Sequence, residues 1–116
     1  MSAMPDIVHI GPYVYRLTAS AEEWAQLRVE LGPADHDDLW GYTSNTDGVI
    51  YIQPGLNPAL ERTIVLHEVL HAAAFCGGIL HDGKRHEEAW VLVVSPPLLD
   101  ALRRTPGLTD YLTADG

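Results

Sequence analysis

The sequence is poor in several things, and each shortage removes a class of protein. It has one cysteine, Cys76, so no internal disulfide framework can staple the fold, and a lone thiol fits a reducing compartment. Basic residues are scarce: 7 Lys and Arg stand against 16 Asp and Glu, a formal net charge of −9. A surface of that sign repels phosphate backbones, which argues against a nucleic-acid partner. The basic cluster Lys84-Arg85, with Arg103-Arg104 further on, is too small to reverse it. Long hydrophobic runs are missing as well. None reaches the roughly 18 apolar residues a membrane span requires, and the opening MSAMPDIVHIGPY lacks the basic-then-apolar pattern of a secretory signal. The expectation is a cytoplasmic protein without a membrane association.

No repeat, low-complexity segment or linker divides the chain, so residues 1–116 read as a single domain with one modest core. "IVHIGPYVYRL" (7–17) is β-branched and aromatic but interrupted by Gly11-Pro12, and predicts an edge or broken strand. "SAEEWAQLRVELGP" predicts a helix: Ser20 and Glu23 have capping-box spacing, Trp24, Leu27 and Leu31 share a face, and Gly32-Pro33 stop it. An acidic loop, "ADHDD" (34–38), follows. Residues 39–53 predict a β-hairpin turning at Asp47-Gly48. Asn57 caps the next helix with Pro58 at its first position, and Gly77-Gly78 end it. "ILHDGKR" is expected to be a loop, with a helix starting near 84, a break at Ser95-Pro96, and a third helical piece through Arg104. The tail could dock through Leu108, Tyr111 and Leu112.

Within the Asn57-capped helix lies "RTIVLHEVLHAAAFCGG" (62–78), with two imidazoles and a carboxylate in an apolar run. Positions i and i+4 of a helix project from one side, so His67 and His71 aim their nitrogens at a common point suited to a divalent cation. Glu68, beside the first ligand, is placed to handle the proton of a water there. The flanking Ile64, Val65, Leu66, Val69, Leu70 and Ala72 to Ala74 are apolar at every angle, which predicts a helix buried on all sides and a dry site.

A catalytic zinc takes three protein ligands. The metzincin pattern would need glycine at position 74 and histidine at position 77, where the sequence has Ala74 and Gly77. A glutamate from the following helix is the alternative, and Glu87 and Glu88 open that helix. Glu87 shares a face with Trp90, Val91 and Val94, the stripe expected to pack on the zinc helix, so it is favoured, with Glu88 the alternative. His81 and His86 are rival ligands from the intervening stretch.

On these residues the chain resembles the minimal gluzincin-type zinc metallopeptidases related to the ImmA/IrrE group, and most of all small HExxH proteins encoded by actinobacteriophages and their hosts. The resemblance rests on "GVIYIQPGL" (48–56), "RTIVLHEVLHAA" (62–73), "EEAWVLVVSPPLLDALRRTPGL" (87–108) and "YLT" (111–113). It implies an α+β, zincin-like domain: a short N-terminal sheet with a β-hairpin, a buried zinc-binding helix and a following Glu-bearing helix. It also implies metal ligands at His67 and His71, a catalytic Glu68, and a third ligand in the Glu87-Glu88 pair. Zn2+ is the expected cofactor, a peptide or protein the expected substrate, and host cytoplasm or a virion the expected location. The strand 48–53 would lie above the metal with an edge free for an extended substrate, and Tyr42, Tyr51 or His86 could add an oxyanion donor.

The function expected is zinc-dependent endopeptidase hydrolysis with Glu68 as general base. A phage virion, assembly or partner-binding module whose zinc is mainly structural is the alternative, because the 87–94 helix has an apolar outer face that a protein partner could cover. A regulatory peptidase acting on a repressor is a third, and would need a separate DNA-binding partner.

Overall fold

The computed structural model describes residues 3–32, 40–77 and 87–114, with backbone alone at 87–93, 95 and 96. Strands β1 (Ile7–Ile10) and β2 (Tyr13–Thr18) pair antiparallel around Gly11-Pro12. The expected broken strand is therefore a tight hairpin. Gly11 takes φ 58°, a left-handed conformation that glycine adopts at no steric cost, and Pro12 needs no amide partner in a turn. Helix α1 (Ala21–Leu31) follows. Ser20 accepts from the Glu23 amide, but the Glu23 carboxylate does not complete the capping box; it binds the Arg16 guanidinium at 2.7 and 3.0 Å and the Thr18 hydroxyl. A charged partner outcompetes a neutral amide for that carboxylate.

Strands β3 (Gly41–Ser44) and β4 (Val49–Ile52) form the predicted second hairpin, with Gly48 at φ 68° in its turn. The four strands make one mixed sheet in the order β1-β2-β4-β3, with β2 and β4 parallel. One face carries Val8, Ile10, Tyr15, Leu17, Ile50 and Ile52, all buried. Against it pack α2 (Pro58–Cys76), α3 (Glu87–Arg104) and the short α4 (Leu108–Leu112). On the other face, α1 lies on β4 and buries Trp24 and Leu27. The described residues thus form an α+β fold with three helices on one face of the sheet and one on the other.

Both ends of α2 follow from local chemistry: the Asn57 side chain accepts the Leu60 amide at 2.9 Å, Pro58 occupies the first turn, and Gly77 caps the C-terminus. The tail docks: Leu108 is fully buried and the Tyr111 hydroxyl donates to Glu61 of α2 at 2.7 Å. The break expected at Ser95-Pro96 is absent, and α3 runs unbroken to Arg104. Val94, Leu98 and Ala101 continue one buried stripe across that point, so packing holds the helix on course where two prolines remove amide donors. The expected acidic loop 34–38 and the loop 79–85 lie outside the described residues.

Candidate functional site

His67, Glu68 and His71 all lie on α2, but the helix is not buried on all sides as expected. Val65, Glu68, Val69, Ala72 and Ala73 face the sheet, whereas His67, His71, Leu66 and Phe75 are exposed. An apolar residue at every angle does not identify the covered angle; the sheet occupies only one side. The histidines therefore open to solvent, and the carboxylate between them in sequence turns inward.

The i, i+4 spacing does what the geometry of a helix requires. The Nε2 atoms of His67 and His71 stand 3.0 Å apart, with ring centroids at 4.7 Å and planes at 75°. At that distance one ring can donate Nε2–H while the other accepts, according to their tautomers. Two imidazoles sharing a tetrahedral zinc at 2.0–2.1 Å would stand about 3.3 Å apart. The pair thus lies within a few tenths of an ångström of the separation that two zinc ligands need, and its donor set suits that metal. No group of three or more His, Cys, Asp or Glu side chains gathers as a metal site among the described residues. The third-ligand candidates do not bear on this: α3 begins at Glu87, but the side chains of Glu87 and Glu88 lie outside the described set, as do His81 and His86. The proposed partner face on 87–94 is likewise undescribed up to Val94, which itself is buried in the core.

Glu68 is only 6% exposed. The Thr43 hydroxyl of β3 lies 2.8 Å from its Oε1 and 3.1 Å from its backbone carbonyl. A hydroxyl has one proton, and the ionised oxygen at shorter range is the stronger acceptor. Gly41, two residues earlier on the same face of β3, lets the strand approach: a Cβ there would stand 2.7 Å from Ile64 Cγ2 and 2.9 and 3.0 Å from Glu68 Cγ and Oε2. The sequence reading missed both residues. Their signal is small, side-chain-poor or hydroxyl-bearing positions at period two on a strand, legible only once that strand is known to face the HExxH helix.

Two further expectations are corrected. Strand β4 has no free edge, since β2 and β3 flank it; among the described residues the outer strand beside Glu68 is β3. Tyr42 and Tyr51 are cross-strand partners with rings 6.5 Å apart. They alternate with Gly41, Thr43 and Ile50, so they occupy the α1 face of the sheet, away from the histidines. Burial and the nearby carboxylates of Asp47 and Glu30 push the Tyr51 hydroxyl up, in keeping with that face. Neither tyrosine can be an oxyanion donor at the His67–His71 site.

No protein-family model, curated protein or solved structure matches the chain. The functional reading rests on the site itself. No helix among the described residues is long and apolar enough to cross a membrane.

Proposed function

We propose that this chain is a zinc-dependent endopeptidase of gluzincin type. The observation that carries the reading is the convergence of His67 and His71 Nε2 to 3.0 Å on a solvent-open helix face, beside a glutamate held in place by a neighbouring strand. His67, His71 and Glu87 (or Glu88) would hold a zinc ion, which would supply Lewis acidity and make water more acidic. Glu68 has Oε1 engaged by Thr43, which leaves Oε2 to take a proton from the attacking water and return it to the departing amide nitrogen as the C–N bond breaks. The exposure of both histidines gives a polypeptide access without an opening motion. A peptide or protein is the substrate, and the cytoplasm of a phage-infected host is the setting the resemblance implies.

The burial of Glu68 and its bond to β3 favour one competing reading, an assembly or partner-binding module in which the metal and Glu68 serve structure. Metal analysis of purified protein, with peptide-library cleavage by wild type and Glu68→Gln, separates the two. An endopeptidase keeps metal and loses cleavage in Glu68→Gln. A scaffold cleaves nothing as wild type, and Glu68→Gln, whose amide oxygen still accepts from Thr43, then changes neither metal content nor fold.

A further inference from the structure

A glutamate that carries a proton must offer its free oxygen in one place, yet its side chain has three rotatable bonds whose ordering is costly. Nothing in the HExxH spacing supplies that order. The strand does. The Thr43 hydroxyl straddles Glu68, 2.8 Å from Oε1 and 3.1 Å from the backbone carbonyl of the same residue. Its single proton goes to the nearer Oε1, so the bond ties the carboxylate to β3, a strand that packs on the helix from which His67 and His71 also project. The donor itself is fixed: Thr43 is β-branched, with few χ1 choices, and pairs across the sheet with fully buried Ile50, as Gly41 does with fully buried Ile52. Gly41 completes the cradle, because a side chain there would overlap Glu68 Cγ and Oε2.

We infer that Thr43 is a positioning residue for Glu68, presenting Oε2 to the attacking water, with Gly41 giving the carboxylate its room; the inference rests on the endopeptidase reading. The Thr43 hydroxyl bonds to Glu68. Its effect passes through Glu68, and it is separable from zinc binding because the donated bond ends on Glu68 and not on a histidine.

The experiment compares wild type, Thr43→Val, which keeps the branched shape without the hydroxyl, and Thr43→Ser, which keeps the hydroxyl. Three quantities are measured at pH 7: zinc affinity by chelator competition, the Glu68 carboxyl 13C resonance (assigned with Glu68→Gln), and kcat and KM on the best peptide from a library. Thr43→Val should leave zinc affinity within about threefold, shift or broaden the Glu68 resonance, and lower kcat about tenfold or more with KM little changed, the scale of one lost hydrogen bond to a charged group. Thr43→Ser should restore both the resonance and most of kcat. An unmoved resonance in Thr43→Val overturns the inference, and so does a moved resonance with kcat intact. If wild type binds zinc but cleaves nothing, the endopeptidase reading fails, and the inference of a catalytic positioning role falls with it; a moved resonance would then identify Thr43 as a structural latch. Loss of zinc from Thr43→Val also overturns it, since the effect would then run through the metal.

Discussion

Gly41→Ala adds a single methyl at the point where β3 meets α2, and its cost can be worked from three distances. The new carbon would stand 2.7 Å from Ile64 Cγ2, 2.9 Å from Glu68 Cγ and 3.0 Å from Glu68 Oε2, all well inside van der Waals contact. Gly41 is not among the glycines with positive φ, so the backbone itself accepts alanine and the penalty is one of packing alone. Overpacking of this kind costs about 1–3 kcal/mol. Replacing glycine also stiffens the unfolded chain, which returns about 0.4–1 kcal/mol. The expected net loss is on the order of 1–2 kcal/mol, a fall in Tm of about 4–8 °C for a domain of this size. The closest clash names its own remedy. Ile64→Ala removes the Cγ2 atom, so the two substitutions together should be less damaging than their sum by about 0.5–1.5 kcal/mol. Urea denaturation of the four proteins in the cycle measures both quantities. A Gly41→Ala protein as stable as wild type, or strict additivity with Ile64→Ala, would refute the close-approach argument.

Purified protein should carry about one zinc per chain, and His67→Ala or His71→Ala should abolish it and lower Tm in zinc-containing buffer, read by metal analysis and calorimetry. Glu87→Ala should weaken zinc binding at least about tenfold and Glu88→Ala less, with His81→Ala and His86→Ala least, by chelator competition; the reverse order would move the third ligand. Burial pushes the Tyr15 hydroxyl up to about 12 from the ordinary 10, aided by Cys76 and Tyr13. The fold therefore prefers neutral tyrosine: stability is intact below pH 10 and declines as pH rises toward 12, by roughly 2–3 kcal/mol, and Tyr15→Phe should flatten that decline in denaturation series. Asn57→Ala should cost about 1 kcal/mol through loss of the α2 cap, measured by urea denaturation.

The parts of this fold legible in the sequence are those decided within a few residues. Asn57-Pro58 and Gly77 bound α2 because capping is local, and Asp47-Gly48 turns the second hairpin for the same reason. Ser95-Pro96 misleads because the residues that keep α3 straight lie across the core, on β1 and α2. The capping box at Ser20 is half realised because Arg16, on another element, competes for Glu23. At the site, His67 and His71 converge as their spacing demands, since both sit on one rigid helix. Which of His67, Glu68 and His71 turns inward depended on where the sheet lies, and Thr43 and Gly41 come from a segment more than twenty positions earlier. Pattern on one element carries no information about which strand will face it.

The order of the strands also sets a timetable. The two hairpins β1–β2 and β3–β4 close over short turns, events of about 1–10 μs. The parallel join of β2 to β4, with Arg16 opposite Val49, waits for α1 and all of β3 to be laid down between them. Non-local pairing of this kind is slow. Thr43 reaches Glu68 only when the second hairpin settles on α2, so the cradle needs both the hairpin and the helix in place. The same sequence runs backwards during native fluctuation. Strand β3 is four residues long, at the rim of the sheet, and hydrogen-bonded within the sheet on one side only. Its amides should exchange with solvent ahead of those of β4, and each such opening releases Glu68 while the core beneath stays folded.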